Sequence, residues 1–185
     1  MKIETLNLLY RLYLSLIFNV SVQTGDLPDL WKHASVTPVF KKGSPSDPAN
    51  YRPISLTCIS CKLLESGIKE SLLSYLLLHG IINKNQHGFL KRKSTTTQLL
   101  ECCLDWNIAL NTHQHLDIIY LDYAKAFDSV VHTKLLAKLA QYGINDLLLI
   151  WIKKFLVART QCVKIADTNS SVCVVISGVP QGSVL

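Results

Sequence analysis

Acidic residues are scarce where basic ones gather. Between Trp31 and Lys93 stand three acids (Asp47, Glu65, Glu70) against ten basic residues (Lys32, Lys41, Lys42, Arg52, Lys62, Lys69, Lys84, Lys91, Arg92, Lys93), a local excess of +7 in a chain of net charge +6. Such an excess points to a polyanion, either a nucleic acid or a nucleoside triphosphate, unless it is a solvated basic face without a partner. Charged residues are also few overall, 17% against 49% hydrophobic, which excludes a disordered chain and calls for a buried core. No internal repeat or low-complexity linker marks a domain boundary.

A membrane-length apolar run is lacking too. The nearest candidate, "LNLLYRLYLSLIFNV", has 15 residues and carries Arg11 and Asn19, short of the roughly 20 apolar residues a spanning helix needs. No small-residue cleavage site follows it, which argues against a signal peptide. It reads as an amphipathic helix in need of a core. Zinc partners are missing as well: Cys58 and Cys61 form a CxxC with no second CxxC and no HxxxH, and Cys102–Cys103 falls in a helical pattern. The six cysteines therefore read as small buried hydrophobes in a reducing compartment. At 185 residues the chain can build a core without disulfides.

The patterning predicts alternating helices and strands. Residues 4–22 place Leu8, Leu9, Leu12, Tyr13, Leu16 and Ile17 at helical spacing, with Gly25 and Pro28 as the stop. "ASVTPVF" and "YRPISLT" read as strands of a hairpin around the turn-rich "KKGSPSDPAN", with Lys41, Lys42 and Arg52 at its tip and flanks. A helix over Ser60–His79 ends at Gly80, and Lys62 and Glu65, one turn apart, can pair on it. "NKNQHGFLKRKSTTT" is a basic, exposed loop leading into a helix through Leu99, Leu100, Cys103, Leu104 and Trp106. Two further helices follow, one with the stripe Leu135, Leu136, Leu139 and Tyr142, the next capped by Asn145 or Asp146. "TQCVKIAD" and "SVCVVISG" form an antiparallel pair.

One carboxylate fits its place poorly. Ile118–Leu121 is an apolar run of the kind found in strands buried on both faces, and Asp122 falls where it emerges. A charge there is costly unless it is paired or bound to metal. Asp residues at strand ends commonly serve turns and caps; Asp128 suits that role for a helix starting near Val131, whereas Asp122 has no helix directly after it. The alternative is that Asp122 gives oxygen to Mg²⁺, which takes carboxylates and substrate phosphates and, in two-metal phosphoryl transfer, needs a further carboxylate.

Four segments in order, "NYRPISLTCISCKLLE", "QHGFLKRKSTTTQLL", "LDYAKAFDSVVHTKLLAKLAQYGI" and "SGVPQGSVL", resemble the successive motifs of the reverse transcriptase of LINE-type (non-LTR) retrotransposons, from about Gly25 to the C-terminus. The resemblance implies an α+β fold: a partial right-hand polymerase with an N-terminal helical segment (residues 1–30), a fingers-like region (31–115) and part of a palm (116–185), its antiparallel sheet packed on helices. It implies an RNA-directed DNA polymerase using an RNA template, a DNA primer, deoxynucleoside triphosphates and Mg²⁺, acting in nucleus or cytoplasm. Asp122 would be catalytic, binding metal with the main-chain carbonyl of Tyr123. Phe127 would lie under the incoming sugar, though core packing is its ordinary role. Lys41 and Arg52 would hold the triphosphate, and Gln181 and Gly182 would approach the nascent base pair. Gln86, Gly88, Phe89, Lys91, Arg92 and Lys93 would touch the template, unless they are simply an exposed basic loop.

The family's next motif, an aromatic residue, a variable one and two adjacent aspartates, does not occur before Leu185. The expectation is that this chain alone extends no primer and that its last strand offers a sticky open edge. The competing reading is a decayed or domesticated fragment with RNA binding or no activity. A phosphatase or nuclease built on Asp122 lacks converging partners.

Overall fold

Alternating apolar and small residues around a loop rich in Gly, Pro, Ser and Asp favour a hairpin. The computed structural model describes the backbone of residues 3–185 and the side chains of residues 11–185. In it β1 (His33–Phe40) pairs antiparallel with β2 (Tyr51–Leu56), Phe40 opposite Tyr51 and Ser35 opposite Leu56. The Phe40 and Tyr51 rings meet edge to face at 5.4 Å. The loop between them is held by Asp47, whose carboxylate accepts from the Ala49 amide at 2.9 Å, and by Asn50, whose side-chain amide donates to the Ser44 carbonyl at 3.0 Å.

The chain divides into two units, Met1–Leu73 with Lys125–Leu185, and Ser74–Ala124. In the first, β1 is extended by β3 (Arg159–Ile165), parallel to it with Ala34 opposite Gln161, and β3 pairs antiparallel with β5 (Cys173–Val175) and with the short β4 (Thr168–Asn169). The expected antiparallel pair near the C-terminus is therefore present. β5 pairs only with β3 among the described residues, leaving its other edge open. The parallel β1–β3 contact joins hairpin and C-terminal strands into one sheet.

Helices α1 (Ile3–Thr24), α2 (Asp29–Lys32), α5 (His132–Gln141), α6 (Asp146–Leu156) and most of α3 (Ile59–Leu78) complete this unit. Asn145 caps α6 through the Leu147 amide at 2.8 Å. The core joins Leu27 and Trp31 to Cys61, Leu64 and Ile68 of α3 and to Trp151, Ile152, Phe155 and Leu156 of α6. Each large apolar side chain so buried contributes roughly 1.5–3 kcal/mol. Trp151 stacks on Phe155 at 5.3 Å, and its indole N–H donates to the buried Ser21 hydroxyl at 3.0 Å. Leu135, Leu136 and Leu139 lean on the core as the stripe predicts.

Four expectations need correction. On α1, Leu12, Tyr13, Leu16 and Ile17 are exposed; Phe18, Ser21 and Val22 make the contacts, and Leu8 and Leu9 lie outside the described side chains. Helical spacing identifies a stripe but not its partner. Of the cysteines only Cys61 and Cys162 are buried. Val131, not Asp128, precedes α5, and no side chain caps that helix. Ile118–Leu121 forms no strand: it is irregular, with Ile119, Tyr120 and Leu121 more than 80% exposed. A strand needs ladder partners for its amides and carbonyls, and the described residues of the unit that holds this run, Ser74–Ala124, contain no strand.

The second unit holds the end of α3, a loop, and α4 (Thr95–Asn111). Ser94 and Thr97 form a reciprocal capping box: the Ser94 hydroxyl accepts from the Thr97 amide at 3.2 Å and the Thr97 hydroxyl accepts from the Ser94 amide at 2.9 Å.

Candidate nucleotide and template site

In the first unit, segments distant in sequence meet around "SGVPQGSVL". After Lys125 the chain turns tightly, the amides of Asp128 and Ser129 both donating to the Lys125 carbonyl at 3.0 Å. This turn faces the segment that follows β5. The Val179 amide donates to the Phe127 carbonyl at 2.9 Å, the Gly178 amide to the Val130 carbonyl at 3.0 Å, and the Ser177 hydroxyl to the Asp128 carbonyl at 3.3 Å. His132 Nε2 donates to the Gly178 carbonyl at 2.6 Å. Gly178 is buried with φ of 80°, and a Cβ there would stand 2.8 Å from the Asp128 backbone. Only glycine permits so close an approach.

The other side of the segment closes on the hairpin. The Ser55 amide, on the free edge of β2, donates to the Gln181 carbonyl at 2.7 Å. Gly182 has φ of 117°, and a Cβ on it would meet the Ser55 carbonyl oxygen at 2.7 Å. Two residues later Glu65 Oε2 accepts from the amides of Val184 (2.7 Å) and Leu185 (3.1 Å). Glu65 is fully buried, so it turns inward instead of pairing with Lys62. A cavity of about 320 Å³ lies against this joint, bounded by Pro53, Ser55, Asp128, Arg159, Gln161 and the stretch from Val174 to Gln181; its volume is at the small end of ligand pockets.

Arg159 and Cys61 lie near Glu65. Arg159 is buried, its guanidinium stacked over the Phe155 ring at 4.8 Å and donating through Nη1 to the Phe155 carbonyl at 3.0 Å. Burial lowers its pKa, against the opposing pull of Cys61 and Glu65. Burial, reinforced by the Glu65 charge, pushes the Cys61 thiol well above its usual range.

The proposed triphosphate residues sit apart from the cavity. Arg52 lies opposite Val39. By strand alternation Lys41 falls on that same face of the hairpin, while Pro53 and Ser55, on the other face, line the cavity. Lys41 and Arg52 are both exposed. Phe127 is 44% exposed and Gln181 half-buried. The remaining candidates belong to the second unit. Asp122 and Tyr123 are exposed in irregular backbone. Among the described residues no group of three or more His, Cys, Asp or Glu side chains could hold a metal, so these residues do not by themselves form a site fitted to Mg²⁺.

The basic loop has a polar anchor that sequence patterning missed. His87 is buried, its Nδ1 3.0 Å from the Thr97 hydroxyl and its Nε2 3.0 Å from Glu101 Oε2. Around it Gln86 donates to the Gly88 carbonyl at 3.1 Å and Lys93 donates to the Lys84 carbonyl. Phe89 and Arg92 adopt φ of 65° and 64°, and Gly88, Phe89, Lys91 and Arg92 are exposed. Glu65 could have been noticed, because a carboxylate stands on the face that carries Cys61, Leu64 and Ile68. Nothing local marks His87.

Residues 39–185 match the family reverse transcriptase (RNA-dependent DNA polymerase). Similar proteins include the RNA-directed DNA polymerase from mobile element jockey of Drosophila melanogaster, 36% identical over 177 residues, or 94% of this chain and 19% of that protein. The probable RNA-directed DNA polymerase from transposon BS of the same organism is 32% identical over 181 residues, with the same shares of 94% and 19%. A retrovirus-related Pol polyprotein from type-1 retrotransposable element R2 of Popillia japonica is 28% identical over 124 residues, 66% of this chain and 17% of that protein. The chain spans about a fifth of the length of these Drosophila relatives. With the match running through the joint just described, the chain belongs to the reverse transcriptase family, of the retrotransposon kind that the order of its motifs implied.

Proposed function

We propose that these residues form the fingers and part of the palm of a right-hand RNA-directed DNA polymerase, divided near residues 30 and 115, which transfers nucleotides to a DNA primer on an RNA template. The supporting observation is the joint itself: three backbone hydrogen bonds, Val179 to Phe127, Gly178 to Val130 and Ser55 to Gln181, tie the Phe127 turn, the "PQG" segment and the hairpin into one unit. Within it the Phe127 side chain is the steric gate against a ribose 2′-hydroxyl, and Gln181 and Gly182 form the floor under the new base pair. Lys41 and Arg52, sharing an exposed face, hold the triphosphate of a deoxynucleotide. Gln86, Gly88, Phe89, Lys91, Arg92 and Lys93 carry the template. Asp122 and the Tyr123 carbonyl are the oxygen donors this reading assigns to Mg²⁺. Such an enzyme works in nucleus or cytoplasm; no helix among the described residues is long and apolar enough to cross a membrane.

The test is primer extension by a reverse transcriptase that contains this chain. Phe127→Val should admit ribonucleotides, and Asp122→Ala should abolish extension while RNA binding persists. Unchanged sugar discrimination sinks the gate, and parental extension by Asp122→Ala sinks the catalytic assignment. A second reading, RNA binding without catalysis, is favoured by the exposure of Asp122 and of the basic loop; salt-sensitive RNA binding with no extension in any longer form would select it.

A further inference from the structure

We propose that Glu65 is a positioning residue for the Gln181–Gly182 turn, its buried carboxylate fixing the backbone that leads out of "PQG". The proposal rests on the reading of Gln181 and Gly182 as the base-pair floor, but its structural content can be tested without nucleotide. A carboxylate inside a protein is tolerated only when hydrogen-bonded or paired. Glu65 is fully buried, and its Oε2 receives two successive backbone amides, those of Val184 and Leu185 at 2.7 and 3.1 Å. The Ser183 amide donates to the Pro180 carbonyl at 3.1 Å, so those two amides follow a turn and point the same way. An anion supplied by another element satisfies such donors as an N-cap does, with charge-assisted bonds.

The turn is thus gripped at both ends. Ser55 holds the carbonyl of Gln181 before it, and Glu65 holds the amides of Val184 and Leu185 after it. Gly182, between the grips, lies so close to Ser55 that a Cβ would not fit. A shift of a few tenths of an ångström at either end would move Gln181. Arg159 is the buried cation whose charge is coupled to Glu65. Glu65 Oε1 and Arg159 Nη2 are both buried without a geometric hydrogen-bond partner, so the carboxylate is held by its two amides, with the Cys61 thiol and the Arg159 charge beside it, not by a tight ion pair.

The experiment is residue-resolved amide exchange on the full chain and on Glu65→Gln, which keeps the shape and one acceptor oxygen while removing the charge. Exchange at Val184 and Leu185 should rise about tenfold, the difference expected between charged and neutral acceptors, and exchange at Ser55 should rise with it as Gln181 loses its place, while Val36 of the β1–β3 ladder stays protected. If Val184 and Leu185 exchange faster but Ser55 does not, Glu65 is a local cap and the positioning role is overturned. Unchanged exchange at all three overturns it as well. Should Val36 lose protection in Glu65→Gln, the same amides are read in Glu65→Asp. That variant keeps the charge and should restore protection at Ser55 together with Val184; failure to do so counts against the proposal. The expected rise in exchange in Glu65→Gln, combined with no response of Gln181 to a deoxynucleoside triphosphate in the parent chain, would support the positioning role and refute the base-pair reading alone.

Discussion

Replacing Gly182 with alanine tests the joint most directly. Its φ of 117° lies in a region that L side chains avoid, and holding alanine there costs about 1–3 kcal/mol. The added methyl would meet the Ser55 carbonyl oxygen at 2.7 Å, and the obstacle is backbone within the sheet, not a flexible side-chain end. Relief requires the segment to move off β2, stretching the 2.7 Å bond from the Ser55 amide to the Gln181 carbonyl, worth about 0.5–1.5 kcal/mol. The two effects together predict a loss of about 2–4 kcal/mol, read as a lower urea midpoint at constant slope. Gly67→Ala is the internal control: it lies within α3, where a Cβ would meet nothing within 4 Å, and should gain about 0.5–1 kcal/mol. A Gly182→Ala chain within about 1 kcal/mol of the parent, with the Ser55 amide still protected, would refute the account of the joint.

Further expectations concern the basic face, the loop anchor and the buried thiol. Lys41→Ala and Arg52→Ala should each weaken RNA or triphosphate binding and reduce the slope of log affinity against log salt by about 1; an unchanged slope in both removes them from the polyanion site. His87→Ala strips part-buried bonds to Thr97 and Glu101, each worth about 0.5–1.5 kcal/mol, so amide exchange should quicken across Asn83–Lys93 before the C-terminal half of α4; uniform exchange would show that His87 is no anchor. Cys61 should alkylate far more slowly than the exposed Cys103 and Cys173, since only the thiolate reacts. The folded-state pKa of Cys61 is raised, so the unfolded chain loses this proton first. Stability from this group is whole below about pH 8.5, the ordinary thiol value, and declines as pH rises beyond it; a Cys61→Ala chain that keeps the same alkaline decline would assign the effect elsewhere.

Much of the local architecture was legible because its determinants are local. The hairpin followed from alternation around a Gly-Pro-Asp loop, α3 from its apolar spacing and Gly80, and α6 from the Asn145 cap. What depends on distant partners was not. The apolar spacing on α1 is real, yet Phe18, Ser21 and Val22 face the core while Leu12 and Leu16 face outward, because the docking face is chosen by α6 and Trp31. Ile118–Leu121 has the composition of a buried strand and none of the pairing, and no residue within the run can supply a ladder. Glu65 read as a surface partner of Lys62 because its acceptor role is decided by amides about 120 positions away.

The same distinction explains how the family motifs work in this chain. Phe127, Gln181 and Gly182 were singled out for side chains or backbone that would meet a nucleotide. In the structure the main-chain carbonyls of Phe127 and Gln181 join three segments: the Phe127 carbonyl takes the Val179 amide and the Gln181 carbonyl takes the Ser55 amide of β2. Both residues are thus tied through their main-chain carbonyls, which fixes where their side chains start. Pre-organisation of this kind is what a discriminating site requires, because a gate that moves with its loop cannot reject a hydroxyl by size. The glycines serve the same end by removing the Cβ atoms that would hold the three segments apart. In this chain, then, residues of the recognisable motifs serve as joints, and if the proposed contacts hold, loosening a joint should degrade sugar discrimination before it degrades binding.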